Sequence, residues 1–212
     1  NNPTGTRTPG SELLPFLQVV PEHVWVVLDE AYLEYVEDDD HLNGATLLAQ
    51  FPNLIVTRTF SKVYGLAAVR FGYGASSPAF ADLLNRARQP FNVNSLAMAA
   101  SLAALEDDDY VNESVALNRA GMVQMTEGLT RLGYDFIPSA GNFVAFDSAE
   151  PGHDLFQRML QEGVIVRAIA EYGLPNHVRV SIGLESENER FLSVLAKVGS
   201  HARPKSTPQA ES

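Results

Sequence analysis

Lys62 stands in the run Thr59-Phe60-Ser61-Lys62-Val63-Tyr64-Gly65-Leu66, with Arg70-Phe71-Gly72-Tyr73-Gly74 close behind. A lysine amine attacks an aldehyde only when desolvation or nearby cations hold it neutral, and Lys62 has mostly small and apolar neighbours. Thr59, Ser61 and Arg70 are donors of the kind that hold a phosphate dianion. An aldehyde and a phosphate on one small molecule describe pyridoxal phosphate. Taken alone, a Ser-Lys pair reads more simply as a solvated surface lysine, because charged residues are mostly exposed.

Two further segments change that balance. Val24-Trp25-Val26-Val27-Leu28 is a short apolar run rich in β-branched residues, which reads as a buried parallel strand. It delivers Asp29 at its C-terminal end, where open α/β sheets put their ligand sites. The plain reading of Asp29 is a cap on the following segment. The opening Asn1-Asn2-Pro3-Thr4-Gly5 carries Asn-Pro and Thr-Gly turn signals and by itself reads as an ordinary loop. All three segments, in this order, are hard to explain as loops and caps.

Together NNPTG, DEAY, SK and RFGYG resemble the cofactor signature of fold-type I aminotransferases. The segments RQPFNVNSLA (88–97), AGNFVAFD (140–147), VIVRAIAEYGLPNHVRVSIG (164–183) and ENERFL (187–192) are similar to the histidinol-phosphate aminotransferase branch. The resemblance runs from Asn1 to about Val198. It implies an α/β chain. Residues 1–115 would form the C-terminal part of a large, mainly parallel pyridoxal-phosphate domain and 116–200 a smaller α+β domain; residues 201–212, polar and proline-containing, read as a disordered tail. It also implies a homodimer with active sites at the subunit interface. The chain opens inside a motif and without methionine, and the family carries about as much chain again ahead of this point. That part holds the loop cupping the cofactor phosphate and the ring stacked on the pyridine, so the expectation is a C-terminal part inactive alone.

The resemblance assigns roles residue by residue. Lys62 joins the cofactor aldehyde as a Schiff base and later serves as the base at the substrate Cα. Asp29 keeps the ring nitrogen protonated. Asn2 and Tyr32 donate to the ring oxygen, and Thr59, Ser61 and Arg70 hold the phosphate. Arg167 and Arg179 take the anionic groups of the substrates, with Tyr35, Asn94 and Asn142 nearby. Each arginine lies in a β-rich segment, where burying it unpaired would be costly; a structural ion pair is the alternative. The implied reaction moves an amino group between histidinol phosphate and 2-oxoglutarate, in histidine biosynthesis. An aromatic amino acid aminotransferase, a decarboxylase of a phosphorylated amino acid on the same scaffold, and a non-catalytic domain that has kept the motifs remain as alternatives.

Composition narrows the partners. The chain has 212 residues, of which 45% are hydrophobic, and a net charge of -11. That charge argues against nucleic acid or an anionic membrane as partner. The lack of cysteine excludes disulfides and fits a reducing compartment. No apolar run approaches membrane-spanning length, and no signal-peptide pattern opens the chain, so a cytoplasmic protein is expected. Histidines 23, 41, 153, 177 and 201 are scattered, without metal-ligand spacing.

Patterning predicts strands at 24–29, 53–58, 69–74, 142–147, 164–169 and 178–182. It predicts helices at 11–19, 43–50, 78–88, 94–105, 111–132, 152–162 and 185–198, the last two ended by Gly163 and Gly199. The acidic runs at 37–40 and 106–109 read as solvated turns or helix starts. Four positions depart from the family pattern: Ala68-Val69 stands for Gly-Leu, Ala168 for proline, and Leu184 for threonine.

Overall fold

The fold comes from a computed structural model, which describes residues 1–200; the tail expected at 201–212 lies outside them. The chain forms two compact units, Thr8–Ala116, and Asn1–Arg7 together with the chain from Leu117 onward. The opening segment thus belongs to the second unit, whereas the sequence reading puts it in the first. Gly5 explains the difference. It sits at φ +84, a Cβ there would lie 2.3 Å from Ser139 Oγ, and its carbonyl accepts from Ala140 N at 2.8 Å. A side chain fits neither the conformation nor the space.

In the first unit, β1 (Val26–Asp29) pairs parallel with β2 (Leu54–Thr59), and β2 pairs antiparallel with β3 (Gly72–Ser76). The expected mainly parallel sheet is therefore one parallel and one antiparallel pair among the described residues. The connection 60–71 explains it. Bonds from Phe60 N to Phe71 O at 3.1 Å and from Leu66 N to Phe60 O at 3.0 Å close it on itself, so the chain turns back instead of crossing over. The run 24–28 is also not buried on both faces: Val26 and Leu28 pack inward, but Trp25 and Val27 are 48% and 61% exposed. Helix α1 (Gly10–Val19) lays Leu13 and Leu17 on Phe51, Leu54 and Val56. Its N-terminus is capped from afar, since Asp40 accepts from Ser11 N at 2.8 Å and Ser11 Oγ at 2.7 Å.

The helix expected at 43–50 is a single 3-10 turn, Gly44–Leu47. Asn43 caps it at Ala45 N, 3.1 Å away. Helices α2 (Pro78–Ala87), α3 (Ser95–Ala104) and α4 (Asp108–Arg131) follow. Asp108 and Asp109 lie in the first turn of α4, where negative charge suits the helix dipole.

The second unit holds a four-stranded antiparallel sheet in the order β4-β5-β7-β6. Its strands are β4 (Phe136–Ile137), β5 (Phe143–Asp147), β6 (Arg167–Ala168) and β7 (His177–Ser181). Patterning misses β4 and stretches β6, because two-residue strands carry no period. Helices α5 (Gly152–Gln161) and α6 (Glu185–Val198) join α4 over a core of Leu129, Phe146, Leu155, Met159, Val178 and Leu195. Gly163 ends α5 in the left-handed region at φ +78, but Gly199 is extended at φ -73. There the lack of a side chain provides space, since a Cβ would lie 2.7 Å from Leu195 O.

Two expectations test this description. Helix α6 starts with half a capping box: Glu187 accepts from Leu184 N at 2.8 Å, but the leucine side chain has no oxygen for the reciprocal bond. Leu184→Thr supplies it and is expected to stabilise the unit by about 1 kcal/mol, read as a higher unfolding midpoint. An unchanged or lower midpoint contradicts the cap. In the first unit, burial foremost holds the Glu34 carboxyl above its ordinary range, against the opposing effects of hydrogen bonds and Arg58. The folded state then binds this proton more tightly than the unfolded chain, so the group loses stability as pH rises from 4.5 through its raised value. Glu34→Gln should melt above wild type at pH 7, with the gap closing below 4.5. A gap that ignores pH contradicts the assignment.

Candidate active site

Lys62 is placed by its neighbours. Phe60 is 2% and Val63 1% exposed, so they pin the chain on either side of it. The Phe60 ring lies 5.2 Å from Phe71 and 4.9 Å from Tyr64, between ring centroids. Gly65, at φ +68, donates its N–H to the Lys62 carbonyl at 2.9 Å and closes the turn. The Lys62 ammonium stands 4.9 Å from the centroid of the Tyr32 ring, a cation–π distance.

Lys62 opens on a cleft of about 450 Å³ at the C-terminal ends of β1 and β2. Asp29, Thr59, Ser61 and Arg70 line it as well. Asp29 also caps the turn that follows, accepting from Ala31 N at 3.0 Å. Thr59 Oγ1 accepts from Ser61 N at 3.1 Å. Arg70 is held at φ 56, a conformation that a non-glycine residue adopts only under constraint, and donates to Ala67 O at 2.8 Å and Ser61 Oγ at 3.5 Å. Neither Lys62 nor Arg70 has an ion-pair partner among the described residues.

The second unit carries the other predicted group. Arg167 and Arg179 are cross-strand partners on β6 and β7, and both line a cleft of about 600 Å³ with Ser181, Ser186 and Asn188. The guanidinium of Arg179 lies 5.0 Å over the Phe143 ring and donates to Asn2 Oδ1. Arg167 departs from the burial argument. It is exposed and pairs with Glu171 at 3.0 Å, which raises the arginine's pKa and lowers the carboxylate's. Its strand is the sheet edge, where water reaches the side chain.

The remaining predicted residues take local duties here. Asn94 caps α3, accepting from Ala97 N at 2.8 Å. Tyr35 ends the 3-10 turn Leu33–Tyr35. Asn142 accepts from Ile182 N through its backbone at 2.9 Å. The sequence reading missed Arg58, which lines the first cleft, and Asn188, which is 2% exposed and bonded to Gly183 and Gln124. Arg58 adjoins Thr59 and Asn188 lies within ENERFL, but the partners Glu30 and Gln124 are distant in the chain.

The donor set of the first cleft fits an aldehyde that carries a phosphate. The Lys62 amine, the Thr59 and Ser61 hydroxyls and the Arg70 guanidinium, with no carboxylate paired to Lys62 or Arg70 among the described residues, suit the aldehyde and the dianion; Asp29 supplies one carboxylate for a protonated ring nitrogen. The volume is within the ~300–1,000 Å³ usual for small-molecule sites.

Comparison with known proteins agrees with this chemistry. The family model described as "Aminotransferase class I and II" matches residues 1–195. The chain is 61% identical over 198 residues to histidinol-phosphate aminotransferase 2 of Pseudomonas fluorescens (strain Pf-5), covering 93% of this chain and 54% of that protein. It is 54% identical to histidinol-phosphate aminotransferase 1 of Nitrosococcus oceani, with the same coverage of 93% and 54%. It thus spans about half the length of the curated relatives it matches. Among solved structures, histidinol-phosphate aminotransferase from Sinorhizobium meliloti, in complex with pyridoxal-5'-phosphate, superposes with a TM-score of 0.85 at 32% identity, covering 93% of this chain and 55% of that one. The chain belongs to the class I and II aminotransferases and has their fold-type I architecture.

Proposed function

We propose that the whole protein binds pyridoxal phosphate through Lys62 and moves an amino group between histidinol phosphate and 2-oxoglutarate. The observation that carries this reading is the cleft in which Lys62 and Arg70, both without ion-pair partners among the described residues, share the lining with Ser61, Thr59 and Asp29. The identity to histidinol-phosphate aminotransferases supports the choice of substrate.

When bound, the cofactor ring accepts the electron pair left when the substrate Cα loses its proton. The chain supplies the rest. Lys62 would hold the cofactor through its Nζ, and the same amine is placed to move the proton of the substrate Cα; such local delivery contributes about 10²–10⁴-fold. Asp29 accepts a hydrogen bond from the ring N–H and keeps it protonated. Asn2 and Tyr32 are assigned the ring oxygen. Thr59, Ser61 and Arg70 hold the phosphate through charge-assisted bonds.

Arg179 and Arg167 are assigned the substrate anions, a phosphate in one half-reaction and a carboxylate in the other. A guanidinium fork pairs with either. Tyr35, Asn94 and Asn142 are assigned to the substrate's surroundings. The proposed assembly is a homodimer. Its support is α3, whose Leu96, Met98 and Leu102 are 78%, 53% and 64% exposed, an apolar surface that suits a protein partner. The proposed setting, the cytoplasm, rests on the lack of cysteine.

Steady-state kinetics of the whole protein test the substrate. Arg179→Ala is expected to lower kcat/KM for both half-reactions by about two orders of magnitude, the effect of leaving a bound anion without its partner. Arg167→Ala should lower kcat/KM for histidinol phosphate more than for phenylalanine or tyrosine. A wild type that prefers phenylalanine, or an Arg167→Ala variant that lowers all three equally, would replace this reading with a general aromatic aminotransferase.

A further inference from the structure

Glu30 and Arg58 hold neither cofactor nor substrate in the proposed reaction. Each adjoins a cleft residue in the chain, Glu30 following Asp29 and Arg58 preceding Thr59. They stand one step beyond the Asp29–Thr57 pair in the strand register, and the Glu30 N–H still donates to Thr57 O at 2.9 Å. Asp29 is exposed, but the Glu30 side chain is only 4% exposed.

Every oxygen of the Glu30 carboxylate is used. Oε2 accepts from Arg58 Nε at 2.9 Å and Nη2 at 2.8 Å, and Oε1 accepts from Gly44 N at 2.6 Å. Arg58 Nη2 also donates to Asn43 Oδ1 at 2.6 Å. Glycine at 44 makes room: a Cβ there would stand 2.6 Å from Leu28 Cδ2 and 3.0 Å from Glu30 Oε1. Tyr73 is the cross-strand partner of Arg58 on β3. Glu34 and Tyr64 add a second carboxyl and hydroxyl to the same neighbourhood. One buried carboxylate therefore ties the end of β1 to the end of β2 and to the 43–44 turn.

A tie at this place sets a distance. Beyond Asp29 and Thr59 the chain leaves the strand ladder, and both strand ends are free to splay unless something joins them. Asp29 sits on one end, and the turn carrying Ser61 and Lys62 continues from the other. We propose that Glu30 and Arg58 are positioning residues, which fix the separation between the Asp29 carboxylate and the Lys62 amine and so set how the cofactor ring is held. This rests on the pyridoxal-phosphate reading. Misplacement of about 1 Å at a reacting group is enough to lose ~10²-fold in rate, and residues that support direct ligands are often worth about 10–100-fold in affinity.

The test titrates the whole protein with pyridoxal phosphate, followed by absorbance well below the melting temperature. Arg58→Met keeps the stem and removes the fork; Arg58→Lys keeps the charge; Glu30→Gln keeps an acceptor for Gly44. Arg58→Met is expected to weaken cofactor binding by about 10–100-fold and to shift the pH at which the bound cofactor's absorbance changes. Arg58→Lys and Glu30→Gln should fall between it and wild type. The double variant should bind no more weakly than Arg58→Met alone, because the pair acts as a unit. If Arg58→Met fails to fold, the two conservative variants carry the test. Wild-type affinity and pH midpoint in the folded variants, with only a lower melting temperature, overturn the proposal and leave a plain structural strut. A wild type whose absorbance does not respond to the cofactor overturns the pyridoxal-phosphate reading itself.

Discussion

The first cleft depends on one parallel strand pair, β1 with β2, whose register sets Asp29 across from Thr57. A strand end is a precise place for a reactive group only if its neighbour cannot slide or splay. The ladder prevents sliding, since a one-residue slip would move Val26 and Leu28 out of the core. Splaying is opposed by Glu30, a carboxylate buried with all its bonds made. Removing one partner of such a pair leaves a buried charge uncompensated, typically a large loss. The same arrangement therefore favours both folding and alignment.

Lys62 is fixed by packing. Phe60 and Val63 are core residues two and one positions away, and Gly65 permits the turn between them and Leu66. The amine is thereby presented from a rigid loop over the Tyr32 ring. Arg70 reaches the Ser61 hydroxyl from a left-handed backbone conformation. In the second unit the constraint differs. Helices α4 and α6 approach closely enough that a Cβ at Gly128 would lie 2.4 Å from Leu192 Cδ1, and Asn188 ties the end of β7 to both helices. That fixes the sheet on which Arg179 is carried.

Much of this was legible in the sequence because it is local. The long helices follow from apolar spacing, and Thr59, Ser61, Lys62 and Arg70 lie within one short stretch. What escaped depends on distant partners. The Asp40 cap on α1 spans 29 residues, and the Glu30–Arg58 tie spans 28. No window of sequence contains either. Arg167, for which the sequence leaves a substrate anion and a structural ion pair open, is exposed and paired with Glu171; the edge position that exposes it is a property of strand order. The match to aminotransferases came from the motifs as a set and could not have come from composition.

The central claim is that Lys62 is the residue that holds the cofactor. The chain has two other lysines, Lys197 and Lys205, so the claim reduces to one mapping experiment. The whole protein is loaded with pyridoxal phosphate, reduced with borohydride, digested and analysed by mass spectrometry. The account predicts the pyridoxyl mass on the peptide that contains Lys62. Finding it on Lys197 or Lys205, or on no peptide at all, would contradict the account.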